Sequence, residues 1–190
     1  MRSLAVAFSL TFIGFLPTSA SADTAACERM YKSSPKVVSS FERTGDRNFE
    51  QDHPGYGYSV SYRGPDGGIT VFYYDRGADR VSDALVRDNF NGAIGDIRRV
   101  AEEDGFGLGK FRKSAVDLEN SAMQMQALAK DSRDRMQFLA MGAKNDCMVK
   151  LRLTTTFTAD QTKKVFSGFM SELEAEIYRS GSSNGSGKKG

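Results

Sequence analysis

Histidine is the side chain whose ordinary titration range spans neutral pH, and this chain has one, His53. Any Ser-His-Asp machinery would have to use it, and so would a small periplasmic hydrolase built on that chemistry. His53 stands beside Pro54 in a polar, irregular stretch, a setting that suits a surface loop. Paired carboxylates need not be close in sequence, and spacing marks out no pair among the 24 acidic residues. Asp75, Asp79 and Asp83 recur around a helix entry. A calcium loop needs closer acids and a glycine at its sharp turn, so solvated loop acids and a role at the helix dipole explain them better.

Three strings match catalytic or nucleotide-binding patterns, and each fails on context. Gly181-Ser182-Ser183-Asn184-Gly185 fits a nucleophile elbow but lies in a Gly/Ser-rich tail, without the strand before it that an elbow requires. Ser33-Ser34-Pro35-Lys36 fits a penicillin-binding string, but no Lys-Thr-Gly partner exists and Pro35 opposes the helix it needs. The glycines between Gly105 and Lys110 lack Walker spacing. Asn184-Gly185-Ser186 is a glycosylation string only in a eukaryotic secretory route. The catalytic, metal and cofactor assignments are therefore none.

Cys27 and Cys147 are the only cysteines. An even, minimal count in an exported chain points to one disulfide, which would tie the N-terminal segment to a late strand. A metal pair is the poorer reading, because His53 alone could join it; two free thiols are the other. Thr24-Ala25-Ala26-Cys27 resembles a lipoprotein box weakly, but Thr24 stands where a large apolar residue is usual and Asp23 interrupts the apolar approach. Lys150 and Arg152 form the one candidate ligand-binding pair. They project from one face of a strand, opposite its core face. One reading is an exposed sheet face kept soluble by charge; the sharper one is an open basic face for an anionic ligand or partner, lined by hairpin aromatics if the strands are neighbours.

The ends of the chain are trimmings. Arg2, an apolar run over residues 4–16, Pro17 and Ala20-Ser21-Ala22 make a secretory signal peptide over residues 1–22. The run is short for a membrane span. Residues 180–190 are Gly/Ser/Lys-rich and predict a flexible tail. Residues 23–179 are then a single α+β domain. Removing Arg2, Lys188 and Lys189 from the 26 basic residues leaves 23 against 24 acidic ones. A near-neutral domain offers no general footprint for nucleic acid.

The stretch 55–75 predicts a β-hairpin. Tyr56, Tyr58, Val60 and Tyr62 alternate with Gly57, Ser59 and Ser61, and residues 69–74 read as an inner strand covered on both faces. A three-residue loop with left-handed Gly67 would pair Tyr58 with Tyr74; a one-residue slip would pair it with Tyr73. The first register is preferred. The small strip Gly57, Ser59, Ser61 predicts a packed helix or, alternatively, a shallow aromatic-walled groove.

Elsewhere, periodicity predicts a short helix over 24–33 and a polar stretch over 36–54, with Val37, Val38, Phe41 and Phe49 as anchors. It predicts an amphipathic helix over 83–103, capped by Ser82 and stopped by Gly105. Gly92 and Gly95 would let that helix approach the sheet. Residues 111–118 read as a weak strand, and residues 121–141 as two antiparallel strands around a turn at 131–134, with a helix over 120–130 as the alternative. A clear strand over 147–157 precedes a capping box at Thr158 and Gln161 and a helix to Tyr178.

The fold class is therefore α+β: a mostly antiparallel sheet of five or six strands with two long amphipathic helices packed on it. The order of elements resembles that of PsbP-like domains, the extrinsic photosystem subunits and their bacterial relatives, as architecture without a shared motif, and such a likeness carries no function. The functional expectation is an exported non-enzymatic accessory or binding protein of the cell envelope, periplasmic or secreted. Its partner would be an envelope protein or a small anionic ligand; a small periplasmic hydrolase using His53 or an unseen carboxylate pair is the alternative, and an envelope structural or stress protein the further one.

Overall fold

The structure, a computed structural model, describes residues 24–113 and 123–182. The expected signal peptide, residues 114–118 of the expected weak strand, and residues 183–190 of the tail lie outside the described residues. In order, the described elements are α1 (Thr24–Lys32), β1 (Val37–Val38), β2 (Phe41–Asn48), β3 (Tyr58–Gly64), β4 (Gly67–Tyr74), α2 (Asp83–Glu103), β5 (Arg112–Lys113), β6 (Met125–Lys130), β7 (Met136–Lys144), β8 (Cys147–Thr155) and α3 (Ala159–Ser182).

All eight strands form one antiparallel sheet in the order β1-β2-β3-β4-β8-β7-β6-β5. Two four-strand meanders meet along β4 and β8. The chain leaves β4 through α2, starts again at the far edge and works back to the centre. Helices α1 and α3 pack on one face, where Met30, Phe166, Phe169 and Leu173 meet Val60, Tyr62, Val71, Leu151 and Phe138. Helix α2 packs on the other, setting Val86, Phe90, Ala93 and Ile97 against Leu139, Met141, Met148 and Tyr74. Among the described residues, no helix is long and apolar enough to cross a membrane.

The helices follow their sequence signals. Ser82 Oγ accepts from Leu85 N–H at 3.2 Å, so it is the N-cap. Gly105 has φ +69° after the last turn of α2. The Thr158–Gln161 capping box is formed in both directions, at 3.0 and 3.4 Å. α3 runs on to Ser182, beyond the expected end at Tyr178 and into the expected tail.

The preferred hairpin register is overturned. The loop is the two residues Pro65-Asp66, Gly64 pairs with Gly67, and Tyr58 faces Tyr73. Gly67 is not among the residues with positive φ. Its requirement is space, since a Cβ there would collide with the Thr154 carbonyl of β8. The loop is pinned from outside: Asp66 O accepts from Thr155 Oγ1 at 2.7 Å and from Thr156 N–H at 3.1 Å. That tertiary clasp selects the shorter loop. The sheet also has more strands than expected. β2 is polar on both faces because it is nearly an edge strand, covered by β1 only near Phe41, and its register shifts between Arg43 and Gly45. Val38 and Phe41 anchor it, while Val37 is 51% exposed and anchors nothing. Strands β6 and β7 replace the alternative helix over 120–130.

A long-range bond and a local side-chain network brace the sheet. Cys27 of α1 and Cys147 of β8 are disulfide-bonded, 120 residues apart in sequence. At the β6–β7 turn the side chain of Asp131 is wholly buried. It accepts from the Arg133 and Arg135 N–H groups at 3.0 Å, from Gln137 Nε2 at 3.0 Å and from Arg135 Nε at 2.9 Å. Burial pushes its carboxyl up. The Arg135 N–H, the Gln137 amide, the Arg133 N–H and the Arg135 guanidinium outweigh burial and hold it below the ordinary carboxylate range.

Two outcomes follow. In the chain-entropy model a bridge closing so long a loop contributes about 4–5 kcal/mol. Cys27→Ala with Cys147→Ala is expected to lower Tm by about 10 °C in calorimetry, and a loss under about 2 °C would show the bridge to be dispensable. The Asp131 contribution is fully present above the ordinary carboxylate value and is lost as pH falls through its lowered folded value. Asp131→Asn is expected to destabilise by about 2–3 kcal/mol at pH 7 and to flatten the acid limb of a urea-stability profile between pH 5 and pH 2; an unchanged acid limb would remove Asp131 from the account.

Candidate functional site

Strand β8 sits at the centre of the sheet, and its two faces differ. Toward α1 and α3 it presents Cys147, Val149, Leu151 and Leu153, all buried. Toward α2 it presents Met148, Lys150, Arg152 and Thr154, passing from apolar to polar along one strand. Met148 is sealed under α2. Lys150 and Arg152 come next and are half-buried. The hairpin aromatics do line this face, because β4 is the neighbour: Phe72 is opposite Lys150 and Tyr74 opposite Met148.

Lys150 Nζ lies 4.2 Å from the centroid of the Phe72 ring and 5.4 Å from that of Tyr74. It borders a cleft of about 230 Å³ between α2 and the sheet, with Tyr74 and Arg76 on one side and Asp88, Asn89, Gly92 and Asp96 of α2 on the other. Arg76 reaches the cleft from the loop after β4. Its Nε donates to Asn89 Oδ1 at 3.0 Å, and its guanidinium lies over the rings of Tyr56 and Tyr74. Among the described residues neither Lys150 nor Arg152 forms an ion pair. Burial lowers the Lys150 ammonium from its ordinary value to about 8, with repulsion from Arg76 and Arg152 adding to it and Asp96 opposing it. Burial lowers Arg152 too, against the pull of Asp96.

Beyond α2 no described helix covers the same face, where Ser61, Thr70, Arg152 and Thr154 are half-buried. The register brings Ser61, Thr70 and Arg152 into one row across β3, β4 and β8, and Arg63, Gly68 and Thr154 into the next. Arg63 lies over Gly68, where a Cβ would sit 3.3 Å from its Nη1. Thr44, Ser61, Arg63, Thr70 and Thr154 border a second, shallower depression of about 460 Å³. Among the described residues no helix is seen packing on the small strip of β3, contrary to the preferred expectation; Ser59, between Arg47 of β2 and Phe72 of β4, is buried all the same. Nor do Gly92 and Gly95 bring α2 close to the sheet. A Cβ at either would meet nothing within 4 Å, and Gly92 lines the mouth of the cleft.

The other candidates stand apart from this face. His53 is exposed in the β2–β3 loop, its ring 5.5 Å from that of Tyr56, and it borders none of the clefts described. Asp75 is buried and caps its own turn through Gly77 N–H at 2.7 Å, while Asp79 is exposed. No described cluster of three or more His, Cys, Asp or Glu could hold a metal. Sequence reasoning missed Arg76, Asn89 and Asp96 as neighbours of Lys150, and Thr70 and Arg63 as members of the rows that hold Arg152 and Thr154. Their only local signals were a helix face and a strand alternation; which face meets which strand is set by the crossover through α2.

No protein-family model matches the chain, and neither a curated protein nor a solved structure matches it.

A half-buried cation without a counter-ion destabilises the fold that holds it. Lys150→Met is expected to stabilise the protein by about 1 kcal/mol at pH 7. The sign of the pH dependence agrees. With the folded Lys150 lowered to about 8 and an unfolded lysine near 10.4, the unfolded chain binds more protons between those values, so stability rises with pH there. Arg76, Arg152, Asp96, Asp88 and Tyr74 face the amine, and none of them is altered by the substitution. Urea unfolding of both proteins from pH 7 to pH 9.5 checks this: the rise should be present in the parent and reduced in Lys150→Met. A variant less stable than the parent would make Lys150 a structural residue.

Proposed function

We propose that the protein is an exported, non-enzymatic binding protein of the cell envelope that takes an anionic ligand on the open half of its sheet face. The observation that carries this reading is the placement of Lys150 and Arg152, two half-buried cations without an ion-pair partner among the described residues, at the centre of the sheet, where apolar packing under α2 gives way to a polar face. An unpaired cation held out of water is unfavourable unless something anionic meets it, and the two depressions beside it leave room for that. The near-neutral charge of residues 23–179 makes this a local site rather than a general attraction for polyanions. The Cys27–Cys147 bridge supports export, since such bonds persist in oxidising compartments, as does the leader expected over residues 1–22.

Calorimetric titration with tripolyphosphate at pH 8 and low salt tests the face. The expected result is binding that weakens with added salt and is accompanied by proton uptake, because a bound anion returns the Lys150 amine toward its ordinary value. Lys150→Gln with Arg152→Gln should weaken binding by about tenfold or more while leaving the unfolding transition cooperative. No binding by the parent, or equal binding by parent and double variant, overturns the proposal.

A further inference from the structure

The two depressions lie end to end along β4 and β8. Lys150 borders the cleft beside α2, Thr154 borders the shallower depression, and Arg152 stands between them. At the rise of a β-strand, Lys150 and Thr154 are about 13 Å apart, so the strip is longer than a simple anion. Its chemistry is mixed rather than uniformly basic. At one end Arg76 and Lys150 stand beside acceptors, Asp88 and Asp96 together with the Asn89 amide. At the other, Ser61 and Thr70 are cross-strand neighbours whose hydroxyls have no hydrogen-bond partner among the described residues. Ser59, 6% exposed, is in the adjoining row and likewise has no described side-chain partner.

These features select among anions. A carboxylate or phosphate group only accepts hydrogen bonds, so it uses the cations and the hydroxyl donors; it offers nothing to Asp88, to the acceptor capacity of Ser61 and Thr70, or to Asp96, which also pairs with Arg99 at 3.8 Å. An acidic peptide segment would also set side-chain carboxylates against Asp88 and Asp96 with no hydroxyl donors to meet them. A sugar bearing one carboxylate among several hydroxyls donates as well as accepts. We infer that the ligand of this face is an acidic oligosaccharide, with a carboxylate at Lys150 and Arg76 and sugar hydroxyls along Ser61 and Thr70. This rests on the anion-binding reading above and names its ligand class.

The experiment uses three probes on the protein with its disulfide intact: an oligogalacturonate, an oligoglutamate of matched charge, and a neutral malto-oligosaccharide. The variants are Ser61→Ala with Thr70→Val, and Lys150→Gln with Arg152→Gln, each verified by its unfolding transition. The expected result is that the oligogalacturonate binds more tightly than the oligoglutamate and the neutral glycan hardly at all. Ser61→Ala with Thr70→Val should weaken the oligogalacturonate by about three- to tenfold and leave the oligoglutamate unchanged. Oligoglutamate binding as tightly as oligogalacturonate, or oligogalacturonate affinity untouched by the hydroxyl variant, overturns the sugar assignment and leaves an anion site for an acidic protein segment. If neither acidic probe distinguishes the parent from Lys150→Gln with Arg152→Gln, the anion-binding reading falls as well.

Discussion

The pairing of β4 with β8 is the constraint on which the rest of the structure depends. It is the one seam that makes a single sheet out of two meanders, and it runs unbroken from Gly67 opposite Thr155 to Tyr74 opposite Met148. Two strands can approach along that whole length only because Gly67 has no side chain to strike the Thr154 carbonyl. The Asp66 carbonyl then clasps Thr155 and Thr156 at one end. At the other, β8 begins with the half-cystine that holds α1. Each tie is weak evidence alone, and together they place the seam in one register.

That seam also decides where the sheet is left uncovered. Because β4 and β8 are neighbours, the chain between them must cross from the centre of the sheet to its far edge, and α2 makes the crossing. Its apolar side settles over Leu139, Met141 and Met148, and no β3 residue belongs to that cluster. The far part of that face meets no helix of the described residues, and it carries serine, threonine and arginine. Lys150 and Arg152 stand where the covered part gives way to the open one. They are too enclosed to be ordinary solubilising charges, and no described carboxylate neutralises them. A protein that keeps such groups at its centre forgoes stability that a methionine at Lys150 would restore.

Much of the architecture could be read from local pattern. The faces of α2 and α3, the caps at Ser82 and Thr158, and the in–out alternation of β8 are consequences of period and side-chain chemistry, and they appear where expected. The errors lie where a distant part of the chain chooses between local options of similar energy. Both hairpin registers satisfied the alternation of Tyr58, Val60 and Tyr62, and the clasp of Asp66 onto β8 selected one. Strand β2 escaped notice because an edge strand needs no apolar face, and its pairing with β3 is what makes it a strand. Gly92 and Gly95 looked like sites of close packing but meet nothing within 4 Å, and Gly92 borders the cleft between α2 and the sheet instead.

The same division holds for the candidate site. The amino-acid sequence by itself determined that the domain is α+β, that its charges nearly balance, and that Lys150 and Arg152 share the face of a strand opposite its apolar side, since alternation along a strand is a property of the backbone alone. It also supplied the only two cysteines, though not their distance. Tertiary structure decided that Cys27 and Cys147 meet, that Phe72 and Tyr74 lie beside the two cations, and that Arg76 and Asn89 close one end of the strip while Ser61 and Thr70 line the other. These neighbours come from both meanders and the helix between them. No local period encodes them, because they are brought together by the one long-range pairing of β4 with β8.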